Sequence, residues 1–157
     1  MSAPHEHCHT PGQTHPPRRA TWRGAASATL HCLTGCAIGE FAGLAIGVHF
    51  GLSTLATIVL ATTLAFLSGY ALTLIPFLRQ GVPLGQALKS IWLVEFVSIS
   101  VMEIAMNTAD YHAGGMHAAS LADPVFWLGY ATALVAGFVA AWPVNYWLIG
   151  RGLKSCH

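Results

Sequence analysis

The stretch HCLTGCAIGE, residues 31–40, lies inside the first long apolar segment of this 157-residue chain. It places a histidine, two thiols and a carboxyl group where a helix would be surrounded by lipid. Such groups are costly at that depth, so their presence indicates a function. Cys32, Cys36 and Glu40 follow an i, i+4, i+8 spacing and therefore share one helix face. Beside them, every fourth residue is a glycine: Gly35, Gly39, Gly43 and Gly47. A stripe of this kind lets another helix approach closely.

The composition around this stretch is that of a membrane protein. Hydrophobic residues make up 54% of the chain and charged residues only 8%, against roughly 25% charged residues in soluble domains. The net charge of +1, with no basic block, argues against a nucleic-acid partner. The bilayer is therefore the expected surrounding. We expect an all-α membrane protein that forms one domain.

Four apolar segments are each long enough to cross the hydrocarbon core, which needs about 20 residues. They predict transmembrane helices at residues 25–48, 53–77, 89–109 and 124–149, within a domain at 24–157. Lys and Arg precede the first helix, join the second to the third and follow the fourth, whereas the other two connections contain neither. The positive-inside rule therefore predicts a four-helix bundle with both termini in the cytoplasm.

Both ends of the chain carry candidate metal ligands outside the predicted bundle. Prolines and a low apolar content predict a disordered tail at residues 1–23. Thiols and imidazoles are ligands for soft and borderline metals, and three of the four cysteines have a histidine neighbour. The candidates for metal capture are His5, His7, Cys8, His9, Cys156 and His157. The alternative is a tail that binds metal only incidentally.

A second group of candidates lies on the first and third helices. At about 1.5 Å per residue, Glu95 falls at the depth of Cys32, and the sulfur and carboxyl residues of helix three share one side. The predicted metal-ligand set is His31, Cys32, Cys36, Glu40, Glu95, Met102, Glu103 and Met106. Thiolates and thioethers favour Cu(I), with zinc the less favoured ion. The alternatives are cysteines that pack as small apolar residues and carboxyl groups that are merely protonated and hydrogen-bonded.

The connection between the third and fourth helices contains harder ligands. Asp110, His112 and His117 are candidates for a separate outer site. A solvated loop without a ligand is the alternative interpretation.

Three motifs carry a resemblance to a known family. They are H-C-x-x-G-C-x-x-G-E at residues 31–40, W-x-V-E-F-x-S-I-x-V-M-E-x-x-M-N-x-x-D at residues 92–110, and WPVNYWLI at residues 142–149. Together they resemble the bacterial membrane family catalogued as domain of unknown function 4396, over roughly residues 25–154. The resemblance implies a four-helix membrane domain and supports the polar residues of these motifs as functional candidates. We expect the protein in the bacterial inner membrane. It implies no established activity.

The leading functional hypothesis is a multi-pass membrane protein that binds a transition metal ion, copper before zinc, and takes part in its transport, storage or homeostasis. A narrow four-helix path favours a homo-oligomer or a larger complex. No motif for a catalytic nucleophile or a phosphate loop is present, so no catalytic residue is assigned. One alternative is a thiol oxidoreductase using Cys32 and Cys36, although cysteines one helical turn apart are poorly placed for a disulfide. Another is a non-catalytic accessory subunit.

Overall fold

The computed structural model describes residues 20–153, and within them the fold is all-α, as predicted. The elements are α1 at Trp22–His49, α2 at Thr54–Arg79, α3 at Leu84–Ala113, a 3₁₀ turn at Gly115–His117, and α4 at Pro124–Gly150. The bounds of α1, α2 and α4 agree with the predicted ones to within three residues. The predicted tail ran to residue 23, whereas α1 already begins at Trp22.

The third helix is longer than predicted at both ends. It was expected at residues 89–109, because the prediction followed the apolar run alone. Pro83 precedes the first turn and Gly114 ends the last, with a left-handed φ of 85°, the usual role of a glycine after a helix. The other three helices begin at residues whose side chains accept a hydrogen bond from the first turn: Thr21, Ser53 and Asp123.

The helices alternate in direction along the bundle. Trp22 stacks on Tyr146 with ring centroids 4.3 Å apart, which puts the start of α1 beside the end of α4. We call this end of the bundle the terminal end, and the end that carries the 3₁₀ turn the loop end. Thus α1 and α3 run from the terminal end to the loop end, and α2 and α4 return.

The bundle has an apolar exterior and a partly polar interior. Ile38, Leu67 and Val135 are each more than 60% exposed, whereas Glu40 and Asn145 are 0% exposed. Within residues 20–153, α1, α2 and α4 are long and apolar enough to cross a membrane. The carboxyl groups of α3 lower its hydropathy, but they face inward. The fourth span and the orientation of the termini remain predictions.

Helices α1 and α2 meet at what we call the glycine seam, formed by Gly35, Gly39, Gly43 and Gly47 against Thr57, Ala61, Leu64, Ser68 and Gly69. A Cβ on Gly35 would lie 2.9 Å from the Cα of Gly69, and one on Gly39 would overlap with the carbonyl of Leu64. The two backbones therefore touch, as the small-residue stripe predicted.

Candidate functional site

Four sulfur-bearing side chains lie together in the core between α1 and α3. We call Cys32, Cys36, Met102 and Met106 the sulfur cluster, and none of them is more than 3% exposed. They pack with Ala65 of α2, Ile99 of α3 and two alanines of α4. The two helices predicted to supply soft ligands therefore do bring them together.

Glycines on the two neighbouring helices make room for these sulfurs. A Cβ on Gly69 of α2 would lie 3.2 Å from the Cys36 Sγ, and one on Gly137 of α4 would lie 2.8 Å from the Met106 Sδ. Gly137 also leaves space for Met102, whose Cγ would be 3.2 Å from that Cβ. Glycines on α2 and α4 thus leave the space that the cysteine and methionine side chains of α1 and α3 occupy.

Each thiol of the cluster has a carboxyl neighbour on α3. The Cys32 Sγ lies 4.0 Å from Glu95 Oε2, in agreement with the predicted equal depth of these residues. Cys36 lies close enough to Cys32 and to Glu103 for their side chains to interact, and neither cysteine forms a disulfide. The arrangement is therefore two adjacent thiols flanked on either side by a carboxyl group.

Within the residues described, Glu103 is hydrogen-bonded through only one of its two carboxyl oxygens. The Asn107 amide donates to Glu103 Oε2 at 3.4 Å and to Thr62 Oγ1 of α2 at 3.2 Å. Glu103 is 3% exposed, and its Oε1 has no hydrogen-bond partner among the residues described. The Oε1 atom of Glu103 is thus available to interact with the sulfur cluster.

Two further carboxyl groups lie toward the loop end and have no hydrogen bonds. Glu40 and Asp110 are each 0% exposed, and all four of their carboxyl oxygens lack a hydrogen-bond partner within residues 20–153. Glu40 is close enough to interact electrostatically with Glu103 and with Asp110. Buried polar groups are normally paired, so these two are exceptional in the bundle.

The structure places the three residues of the predicted outer site in different surroundings. Asp110 points into the bundle, and the backbones of Gly115 and Gly129 pack against its carboxyl group. His117 is exposed but close enough to Asp110 for an electrostatic interaction. His112 is exposed and lies beside the ring of Tyr111, with centroids 5.7 Å apart. Since Asp110 and His112 are two residues apart on a helix, they face in different directions.

The predicted metal-ligand set is likewise gathered only in part. Within residues 20–153, no group of three or more His, Cys, Asp or Glu side chains is placed to hold a metal ion. His31 is partly exposed, and as the residue before Cys32 it projects from α1 in a direction about 100° away from that thiol. The tail candidates, His5, His7, Cys8, His9, Cys156 and His157, lie outside the described residues.

A buried polar network at the terminal end was not predicted from the sequence. The Asn145 amide of α4 donates to Thr29 Oγ1 of α1 at 2.9 Å, and Ser98 Oγ of α3 donates to Asn145 Oδ1 at 2.9 Å. All three residues are 0% exposed. The signal was available, because Asn145 continues a row of buried small residues at every fourth position of α4: Gly129, Ala133, Gly137 and Ala141.

An apolar exterior around thiols, thioethers and carboxyl groups defines the class: a small helical bundle of the kind found in multi-pass membrane proteins. Within that class the chain belongs to the family described as Domain of unknown function (DUF4396), whose model matches residues 21–154. This confirms the resemblance seen in the sequence. No curated protein and no solved structure matches the chain significantly.

Proposed function

We propose that this protein binds copper(I) inside the bundle and takes part in its transport, storage or homeostasis in the bacterial inner membrane. The observation that carries the proposal is the sulfur cluster, in which two adjacent thiols and two thioethers are buried together. Thiolate and thioether ligands select Cu(I) over harder ions. Cys32 and Cys36 would be the principal ligands, with Met102 as the third.

The carboxyl neighbours give the thiols a means to lose their protons. A thiol binds metal as the thiolate, so metal binding releases a proton. The protons of Cys32 and Cys36 can pass to Glu95 and Glu103, since each thiol is next to one of these carboxyl groups. The positive ion would then be neutralised by thiolates in a site away from solvent.

Charge supports an orientation for this bundle. Arg23, Arg79, Lys89 and Arg151 lie at or next to helix ends at the terminal end, and the two connections at the loop end contain no Lys or Arg. The positive-inside rule then places the terminal end in the cytoplasm. With α3 as the fourth span, the thiols lie in the cytoplasmic half of the bilayer.

One observation favours a second candidate function, a thiol oxidoreductase. The thiols of Cys32 and Cys36 lie close enough to interact, so a two-electron oxidant such as a quinone could oxidise the dithiol in place. Their position on consecutive turns of a regular helix opposes this, because a disulfide requires a specific orientation of the two Cβ atoms.

Copper retention by the full-length protein tests the proposal. The background carries Cys8→Ser and Cys156→Ser, so that only the thiols of the bundle remain. After loading with Cu(I) under reducing conditions and washing with a Cu(I) chelator, copper is measured by mass spectrometry. We expect about one ion per chain, lost in Cys32→Ser/Cys36→Ser and bound about tenfold more weakly in Met102→Leu.

The matched control is Met116→Leu, since Met116 is also buried but belongs to a different core cluster. It should retain copper like the background protein. Equal retention in the double serine variant, with its helical content unchanged by circular dichroism, would overturn the proposal. A thiol count that falls by two with a quinone, without any metal retention, would instead support the oxidoreductase.

A further inference from the structure

Glu40 of α1 and Asp110 of α3 form an acidic pair that the sulfur cluster does not require. Glu40 lies one helical turn beyond Cys36, Asp110 lies one turn beyond Met106, and both are fully buried toward the loop end. They interact with each other electrostatically. An acidic pair alone does not make a site. Here, however, all four oxygens are also without a hydrogen-bond partner among the residues described.

The surroundings of Asp110 are built around its carboxyl group. A Cβ on Gly115 of the 3₁₀ turn or on Gly129 of α4 would overlap with Asp110 Oδ1. Both glycines are buried. The backbones of the 3₁₀ turn and of α4 therefore lie directly against the Asp110 carboxyl group, at positions where a side chain would displace it. The space beside these two glycines therefore fits the Asp110 carboxyl group and leaves no room for a further side chain.

Other titratable groups approach the pair from three elements. Glu103 of α3 approaches Glu40 from the side of the sulfur cluster. Tyr130 of α4 is near Glu40, but its hydroxyl donates to the Ala37 carbonyl at 2.9 Å. His117 of the 3₁₀ turn is exposed and close enough to Asp110 for an electrostatic interaction. The groups of α2 that pack against this part of α1, such as Thr57 and Ala61, do not titrate.

We propose that Glu40 and Asp110 form a proton-binding pair that exchanges protons with the loop end of the bundle. An ionised carboxylate without a partner is costly to bury, and a bound proton removes that charge. Intramembrane carboxyl groups of this kind commonly relay protons. Each transfer moves one proton: water or another base at the loop end takes the proton of Asp110, and Glu40 then passes its own proton to Asp110. This inference is independent of copper binding.

Infrared spectroscopy of the full-length protein in lipid, without added metal, tests the pair directly. A protonated carboxyl group has a carbonyl stretching band that shifts in D₂O and disappears on ionisation. We expect such a band to decrease as the pH is raised. Glu40→Gln and Asp110→Asn should each reduce this change, and the double variant should reduce it most, because the two groups titrate as a pair. The change that remains would come from other buried carboxyl groups, such as Glu103.

Asp123→Asn is the matched control. The Asp123 carboxylate is at the loop end but caps α4, and asparagine caps equally well, so the wild-type band change should remain. The proposal would be wrong if the band persisted at all pH values, because the pair would then be a fixed structural feature. It would equally be wrong if neither neutral variant altered the pH-dependent band.

Discussion

The two faces of α1 show opposite ways of packing a helix. On the glycine seam the backbone of α1 touches that of α2, and Ser68 donates to the Gly35 carbonyl at 2.7 Å. On the face toward α3 the contacts are between side chains, including a thiol 4.0 Å from a carboxyl group. This face also carries Glu40, whose carboxyl oxygens have no hydrogen-bond partner in the described part of the chain. The first face gains packing energy, whereas the second keeps groups that are costly to bury. The fold is therefore held by one face of α1 and the candidate chemistry lies on the other.

Gly39→Ala should have the largest effect, because it breaks the seam itself. Its Cβ would overlap with the Leu64 carbonyl and the Ser68 hydroxyl, so the two helices must separate. We expect a loss of about 3 kcal/mol in the free energy of unfolding, the upper range for overpacking. Equilibrium unfolding in mixed micelles, followed by circular dichroism, measures this loss.

The control for this variant is Gly85→Ala in the first turn of α3, where the added Cβ meets nothing within 4 Å. It should be neutral or stabilising by about 0.5 kcal/mol, since alanine is the better helix former. Similar stabilities for the two alanine variants would show that the backbones of α1 and α2 do not need their close approach.

Asn145→Leu should have an intermediate effect, since it removes the amide that links α1, α3 and α4. The change leaves the buried Ser98 hydroxyl without its acceptor. We expect a cost of about 2 kcal/mol in the same unfolding measurement. Thr132→Ala is the control, because that hydroxyl is exposed and donates only to its own helix, to Leu128 at 2.6 Å.

A triple variant distinguishes the contribution of hydrogen bonds from that of side-chain packing in this network. Replacing Thr29 with Val and Ser98 with Ala in the Asn145→Leu chain removes the other polar groups as well. Most of the lost stability should return, since an apolar replacement of all partners is nearly neutral. A triple variant less stable than Asn145→Leu would mean that the fit of the side chains, rather than their hydrogen bonds, holds the terminal end together.

Sequence patterns predicted the elements well because apolar length and glycine spacing are local properties. The stripe from Gly35 to Gly47 indicated a close helix contact, and the four apolar runs indicated four helices. The pattern did not identify α2 as the partner of the stripe, since any helix with a small face would serve. In the structure α2 has such a face, with Thr57, Ala61, Ala65, Gly69 and Thr73 at every fourth position.

The sequence predicted how deep the candidate-site residues lie along the bundle, but it did not predict which of them contact one another. Counting residues along α1 and α3 matched Cys32 with Glu95, because both helices run in the same direction. It did not reveal that Asp110 turns inward, since that depends on the room left by Gly115 and Gly129. It also missed the Ser98–Asn145 contact, which joins residues 47 positions apart. Contacts of this kind depend on how each helix is rotated about its own axis relative to its neighbours. Sequence spacing determines only the relative directions of side chains on the same helix.

Ser68→Ala should have the smallest effect, and it tests what holds the glycine seam. The Ser68 hydroxyl reaches the Gly35 carbonyl at 2.7 Å but also lies 2.8 Å from the Leu64 carbonyl of its own helix. Losing an interhelical hydrogen bond of this kind costs about 0.6 kcal/mol in a membrane protein. Unfolding of this variant beside Thr63→Ala, whose hydroxyl is exposed and bonds only within α2, isolates the contribution across the seam. If Ser68→Ala cost as much as Gly39→Ala, the seam would be held by its hydrogen bond. A loss several times smaller would show that backbone contact stabilises the glycine seam. The seam would then differ from the Asn145 network, which is stabilised by hydrogen bonds.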